Sequence, residues 1–246
     1  MPTSLLAIAT KALEENYFFQ VPDTEASTFE EPGARKRHAG ICAGAVRATG
    51  RPTAMPTNAM EDVIRDFVAL FNAYWYRDFP LVHTHKEEAS RAEWTTHIGV
   101  CVKACADLMG YFTCFEQGNR TDAIVKDREG KHVAHIEWEF VQPFRPGFNE
   151  ARKLAKLPKR VRPRFSALVI YTTDKSYQEN VKIVASQWGK TDHPLILFLI
   201  TFDFKSQHRR LKDLEAHIFL NGKIKKLRAQ KALPWNVKGT RWEHVG

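Results

Sequence analysis

Apolar residues recur along this chain in two rhythms, and the alternation between them sets out the expected elements. Val63, Phe67, Leu70, Phe71 and Tyr74 follow helical spacing, which predicts a helix over 59–77 with Asn58 as its cap. Trp94, Ile98, Cys101, Val102, Cys105, Leu108 and Met109 predict a second helix, capped by Ser90 with Glu93 three residues on and ended by Gly110. The rhythm then shortens to two. Strands are expected at 111–116, 120–126 and 134–140, with turns at 117–119 and 127–131. A short basic helix (149–157), a buried strand (165–172), a helix (176–188) and a central strand (195–204) follow. The last helix places Tyr177, Val181, Val184 and Trp188 on one face. Residues 205–215 read as a basic helix, and Asn221-Gly222 marks a hairpin over 219–224.

Before these elements, 3–19 is expected to be helical and 20–58 a long loop carrying the basic cluster Arg35-Lys36-Arg37-His38. The order α-β-β-β-α-β-α-β predicts an α/β fold with an α+β tendency: a mixed central sheet flanked by helices. Three regions follow: a helical N-terminal region at 1–89, a core at 90–204, and a basic C-terminal extension with a hairpin at 205–246. No internal repeat is present.

Composition narrows the class. The chain has 246 residues, 43% of them hydrophobic, enough for a full core. Four cysteines form no dense disulfide framework, and the N-terminus lacks a basic leader, so a reducing compartment, the cytoplasm, is expected. The longest apolar run, 195–202, is too short to span a bilayer, so no membrane role is expected. Net charge is +9 and uneven: 145–164 carries eight Lys/Arg against Glu150, and 205–246 carries eleven against three acids. A body of slightly acidic balance with two basic segments is the pattern of a polyanion-binding protein, and equally of a lysine-solvated surface.

One strand has an unusual polar face. In 134–140, Ala134, Ile136, Trp138 and Phe140 point one way, and His135, Glu137 and Glu139 the other. Two carboxylates roughly 6.6 Å apart at Cα repel by about 2–3 kcal/mol at an effective dielectric of about 20. A folding core rarely chooses such a pair, whereas a metal site would. The preceding strand opens on Asp122, and folding the hairpin back brings it toward both glutamates. Hard oxygen ligands of this kind suit Mg2+ or Mn2+. An exposed hairpin with a solvated acidic face is the alternative.

This order of elements, with Asp122 followed after fourteen residues by Glu137-Trp138-Glu139, resembles the restriction-endonuclease-like PD-(D/E)XK nuclease superfamily over roughly 90–172. The resemblance implies a core of α-β-β-β-α-β order and a metal-dependent DNA endonuclease, of restriction type or from a phage or mobile element. It implies Asp122, Glu137 and Glu139 as catalytic residues and metal ligands, the Trp138 carbonyl as a further ligand, and Glu93 on the preceding helix as a candidate ligand. Glu139 departs from the pattern, because the family usually has lysine there. A glutamate would hold a second metal or accept a proton from water. Lys153 and Lys156 on the basic helix, or Lys126 on the strand face of Asp122, are candidate substitute cations and nucleic-acid contacts. Double-stranded DNA is the implied partner, and cutting both strands commonly needs a homodimer.

Two other readings compete. A non-catalytic nucleic-acid-binding protein on the same fold is favoured by the missing lysine. A hydrolase using paired carboxylates on a sugar or small molecule would need no added metal. His97, Cys101 and Cys105 recur every four residues, but one helix face closes a tetrahedral zinc site poorly. His83 and His85 have no acid motif beside them, and Gly189-Lys190-Thr191 follows a helix where a phosphate loop precedes one. Trp188, Trp235 and Trp242 are candidates for base stacking or for packing.

Overall fold

The computed structural model describes residues 57–80, 91–117, 121–205 and 208–238. The expectations for 3–19, for most of 20–58 with its basic cluster, for His83, His85 and Ser90, and for Trp242 fall outside these residues. The described elements run α1 (Thr57–Arg77), α2 (Arg91–Leu108), β1 (Phe112–Gln117), β2 (Thr121–Lys126), β3 (His132–Glu139), α3 (Glu150–Ala155), β4 (Phe165–Thr173), α4 (Tyr177–Trp188), β5 (Leu195–Lys205), β6 (His208–Leu220) and β7 (Lys223–Lys231). α1 begins at Thr57, one residue ahead of its expected cap Asn58, so the last residues of the expected loop are helical.

The seven strands form one sheet in chain order. β1, β2 and β3 are antiparallel neighbours; β3, β4 and β5 are parallel; β6 and β7 return antiparallel. The parallel pairs require crossovers, and α3 and α4 supply them. The β2–β3 turn closes because Asp127 accepts the backbone N–H groups of Glu129 and Lys131. Gly130 there sits at φ +77°, a conformation that only glycine adopts without strain.

β4 and β5 are buried on both faces, as their unbroken runs of Leu, Val, Ile and Phe require. On one face α1 seats Phe67 against Phe165, with ring centroids 5.1 Å apart, and stacks Phe71 on Phe198 at 4.1 Å. α2 lies on the same face, where Trp94 stacks on Trp75. Its expected stripe is buried as far as Cys105, but Leu108 is 51% exposed. On the other face Phe148, Ala151 and Leu154 around α3 and Val184 and Trp188 of α4 cover Leu168, Ile170, Leu197 and Leu199. Burial of each such leucine contributes about 1.5–3 kcal/mol.

One element is a correction. Residues 208–215, expected within a basic helix, are strand: β6 pairs with β5 from Lys205↔His208 to Leu195↔Phe219. Local preference for helix is weak, and β5, enclosed on both faces, needs a hydrogen-bonded neighbour at each edge. The basic segment after 205 therefore continues the sheet of the core. Its hairpin turns at Asn221 (φ 52°) and Gly222 (φ 73°), the two positive angles expected of an Asn-Gly turn. No helix among the described residues is long and apolar enough to cross a membrane.

Candidate functional site

The register of the β2–β3 hairpin decides what the acids can do. Ala123 pairs with Ile136, so the preceding residue, Asp122, stands opposite Glu137 on the same face. That face is the one α3 covers, because Glu137 pairs alongside Leu168, which lies under α3 and α4. Both acids sit where β3 approaches its carboxyl end, the customary ligand end of parallel strands.

Set opposite each other, the two carboxyls act on one another: Asp122 adds to the rise of Glu137, and Glu137 lowers Asp122. Glu137 is 3% exposed, and burial pushes its pKa up to about 8. The negative charge of Asp122 adds to this rise, while Lys153 opposes it. Burial also raises Asp122, offset in part by the backbone N–H of Trp138, which donates to Oδ2 at 2.8 Å. The fold thus retains a proton between two acids, at a cost that hydrophobic residues would not incur.

Lys153 reaches the pair from α3, with its Nζ 2.6 Å from Oε1 of Glu137. Leu154, the next residue, is buried in the core under the helix, which fixes α3 against the sheet beside Glu137. The cation beside Glu137 thus comes from α3 and not from the strand itself.

Other candidates lie elsewhere. Glu139 is half-buried and turns its Oε1 to accept the Val141 N–H at 2.8 Å, although its charge still acts on Asp122. Glu93 is exposed in the first turn of α2 and is not among the main charges acting on Asp122 or Glu137. Lys126 lies four residues from Asp122, roughly 13 Å along the strand, and donates to Oε1 of Gln117 at 3.2 Å. Lys156 is exposed at the end of α3. His135 shares the face of Glu137, and its Nε2 meets His132 Nδ1 at 2.6 Å; burial lowers its pKa to about 4.

Among the described residues, no group of three or more His, Cys, Asp and Glu side chains is arranged to hold a metal ion. The expected convergence of three acids is thus a convergence of two. Two carboxylates still fit Mg2+, which keeps several waters and is commonly held by one or two protein carboxylates together with substrate phosphate. One residue's N–H and C=O leave a strand on the same side, so the Trp138 carbonyl is turned toward β2 with its amide. His97 packs against Trp75, Phe79 and Trp94, and burial lowers its pKa to about 4. Burial holds the Cys101 and Cys105 thiols well above their usual range, so they behave as core groups. Trp188 is buried and donates to the His193 carbonyl, and Trp235 packs on Phe79.

A supporting residue escaped the sequence reading. Asn180 of α4 is fully buried, donates to Thr172 Oγ1 at 2.8 Å and to Gln142 Oε1 at 3.2 Å, and accepts from the Phe144 N–H at 2.9 Å. It ties the loop after Glu139 to β4. The available signal was an amide set three residues after Tyr177 and four before Val184, on the apolar stripe of α4. No protein-family model matches this chain, and no curated protein matches it in sequence.

Proposed function

We propose that the chain is a metal-dependent nuclease that hydrolyses phosphodiester bonds in DNA, with a restriction-endonuclease-like core over α2–β1–β2–β3–α3–β4. One observation carries the reading: Asp122 and Glu137 oppose each other on adjacent strands, and Lys153 brings a cation 2.6 Å from Glu137. The order of strands, the antiparallel-to-parallel change at β3 and the α3 crossover agree with the core that the resemblance implies.

Asp122, Glu137 and the Trp138 carbonyl would hold the ion, which when bound would supply charge neutralisation and an acidified water. Glu137, with its pKa raised to about 8 by burial, would have to release its proton to serve as a ligand. Lys153, beside Glu137, would hold the scissile phosphate or orient the attacking water. Buried Leu154 and Ala151 hold α3 so that this cation stays at the site.

The second reading, a DNA-binding protein without catalysis, draws on Glu139, whose carboxylate is taken up by the Val141 N–H. Plasmid nicking with Mg2+ or Mn2+, with and without chelator, separates the two. Metal-dependent nicking lost in Glu137→Ala, with DNA binding retained, supports the nuclease. Binding without nicking under any metal leaves the binding protein.

A further inference from the structure

Between α3 and α4, on the face that carries Asp122 and Glu137, lies an open groove of about 590 Å³. Arg152 lines its α3 side, and Lys175, Gln178, Glu179 and Lys182 line its α4 side. It lies across α3 from the candidate site: Arg152, which lines it, is the residue before Lys153, and consecutive helix residues point about 100° apart. Its formal charge is three positive groups against one negative. None of the three cations forms an ion pair among the described residues, whereas nearby surface cations do: Lys212 with Asp174, Lys226 with Glu215 and Lys231 with Asp213.

We propose that this groove is the track for a nucleic-acid backbone leaving the Asp122–Glu137 pair. The inference rests on the nucleic-acid reading above and adds to it the path of the strand. Lys175, in the turn that leads into α4, and Lys182 on α4 are seven residues apart, about 10 Å at helical rise, enough to reach more than one phosphate of a strand. Arg152 approaches from the opposite wall and offers the planar fork that suits a phosphate. Gln178 is a neutral amide between the two lysines, able to donate to a phosphate oxygen. A polyanion there would neutralise unpaired cations without breaking an existing ion pair.

The test uses the full chain in a Glu137→Ala background, so that binding is read without cleavage. Anisotropy of a fluorescein-labelled DNA duplex is followed between about 50 and 200 mM salt for this protein and for its Arg152→Gln/Lys175→Gln/Lys182→Gln derivative. Losing three phosphate contacts should reduce the slope of log affinity against log salt by about 2–3. Lys223→Gln/Lys225→Gln/Arg228→Gln on β7 removes the same charge elsewhere and should change the slope by less than about 1. Equal losses from both sets, an unchanged slope in the groove variant, or no duplex binding by the parent overturn the track. So does polyglutamate that displaces the duplex at equal charge concentration, which would indicate an acidic-polypeptide site. Nicking by the natural chain is scored separately. A groove-dependent slope without nicking keeps the track and removes the nuclease; nicking with an unchanged slope does the reverse.

Discussion

Replacing Glu137 by glutamine removes one titrating proton and little volume, and the structure fixes both the sign and the scale of the effect. Burial holds the carboxyl's pKa near 8, up from an ordinary 4.5. Between those values the unfolded chain has released a proton that the fold retains. Stability from the neutral carboxyl is therefore complete below about pH 4.5 and is lost as pH rises toward 8. More than three units at about 1.36 kcal/mol each sets a ceiling of about 5 kcal/mol. Asp122, whose charge adds to the rise, is only half-buried and so screened by water, and a loss of about 2–4 kcal/mol is expected. Urea unfolding of the natural protein and of Glu137→Gln, each followed from about pH 5 to about pH 8.5, isolates this proton in the difference between the two curves. Glu137→Gln should be the more stable protein at the alkaline end while losing its response to added Mg2+. A difference that is flat with pH, or that grows in favour of the natural protein as pH rises, refutes the buried-proton account of the site.

Three further outcomes follow from the packing. Asn180→Ala leaves the Phe144 N–H without its acceptor and Thr172 Oγ1 without its donor, and should cost about 2–4 kcal/mol by chemical denaturation, with faster hydrogen exchange at Phe144. His97, held near a pKa of 4 by burial against an ordinary 6.5, should favour folding fully above about pH 6.5 and lose that contribution as pH falls toward 4. His97→Phe should therefore flatten the acid limb of the stability curve by about 2–3 kcal/mol, and an unchanged limb counts against the assignment. Gly222→Ala forces a side chain into φ 73° and sets its Cβ 3.1 Å from Lys190 Cγ; a melting temperature unchanged from the parent would contradict the turn geometry.

The sheet was legible wherever one residue type dominated a face. The hydrophobic runs of β4 and β5, the Asn-Gly turn and the Gly130 turn each state a local geometry that the fold has no reason to overrule. β6 was not legible, because Lys212, Leu214 and Glu215 suit a helix in isolation and only the open edge of β5 turns them into strand. The pairing of Asp122 with Glu137 followed from hairpin register, which a turn of known length fixes. The turning away of Glu139 did not follow, since it depends on where the Val141 N–H points after the strand ends. Lys153 was visible only as one lysine among several; buried Leu154 beside it orients α3, and that choice belongs to the tertiary packing.

β7 closes one side of the sheet and carries Lys223, Lys225, Lys226, Arg228 and Lys231 within nine residues. A second molecule of the same sequence laid against that strand would bring ammonium and guanidinium groups together across the new ladder, and the repulsion would exceed what the added backbone hydrogen bonds return. The sheet therefore stops growing at its seventh strand, and fibre-like stacking from this side is blocked by charge even though the strand's hydrogen-bonding groups face outward.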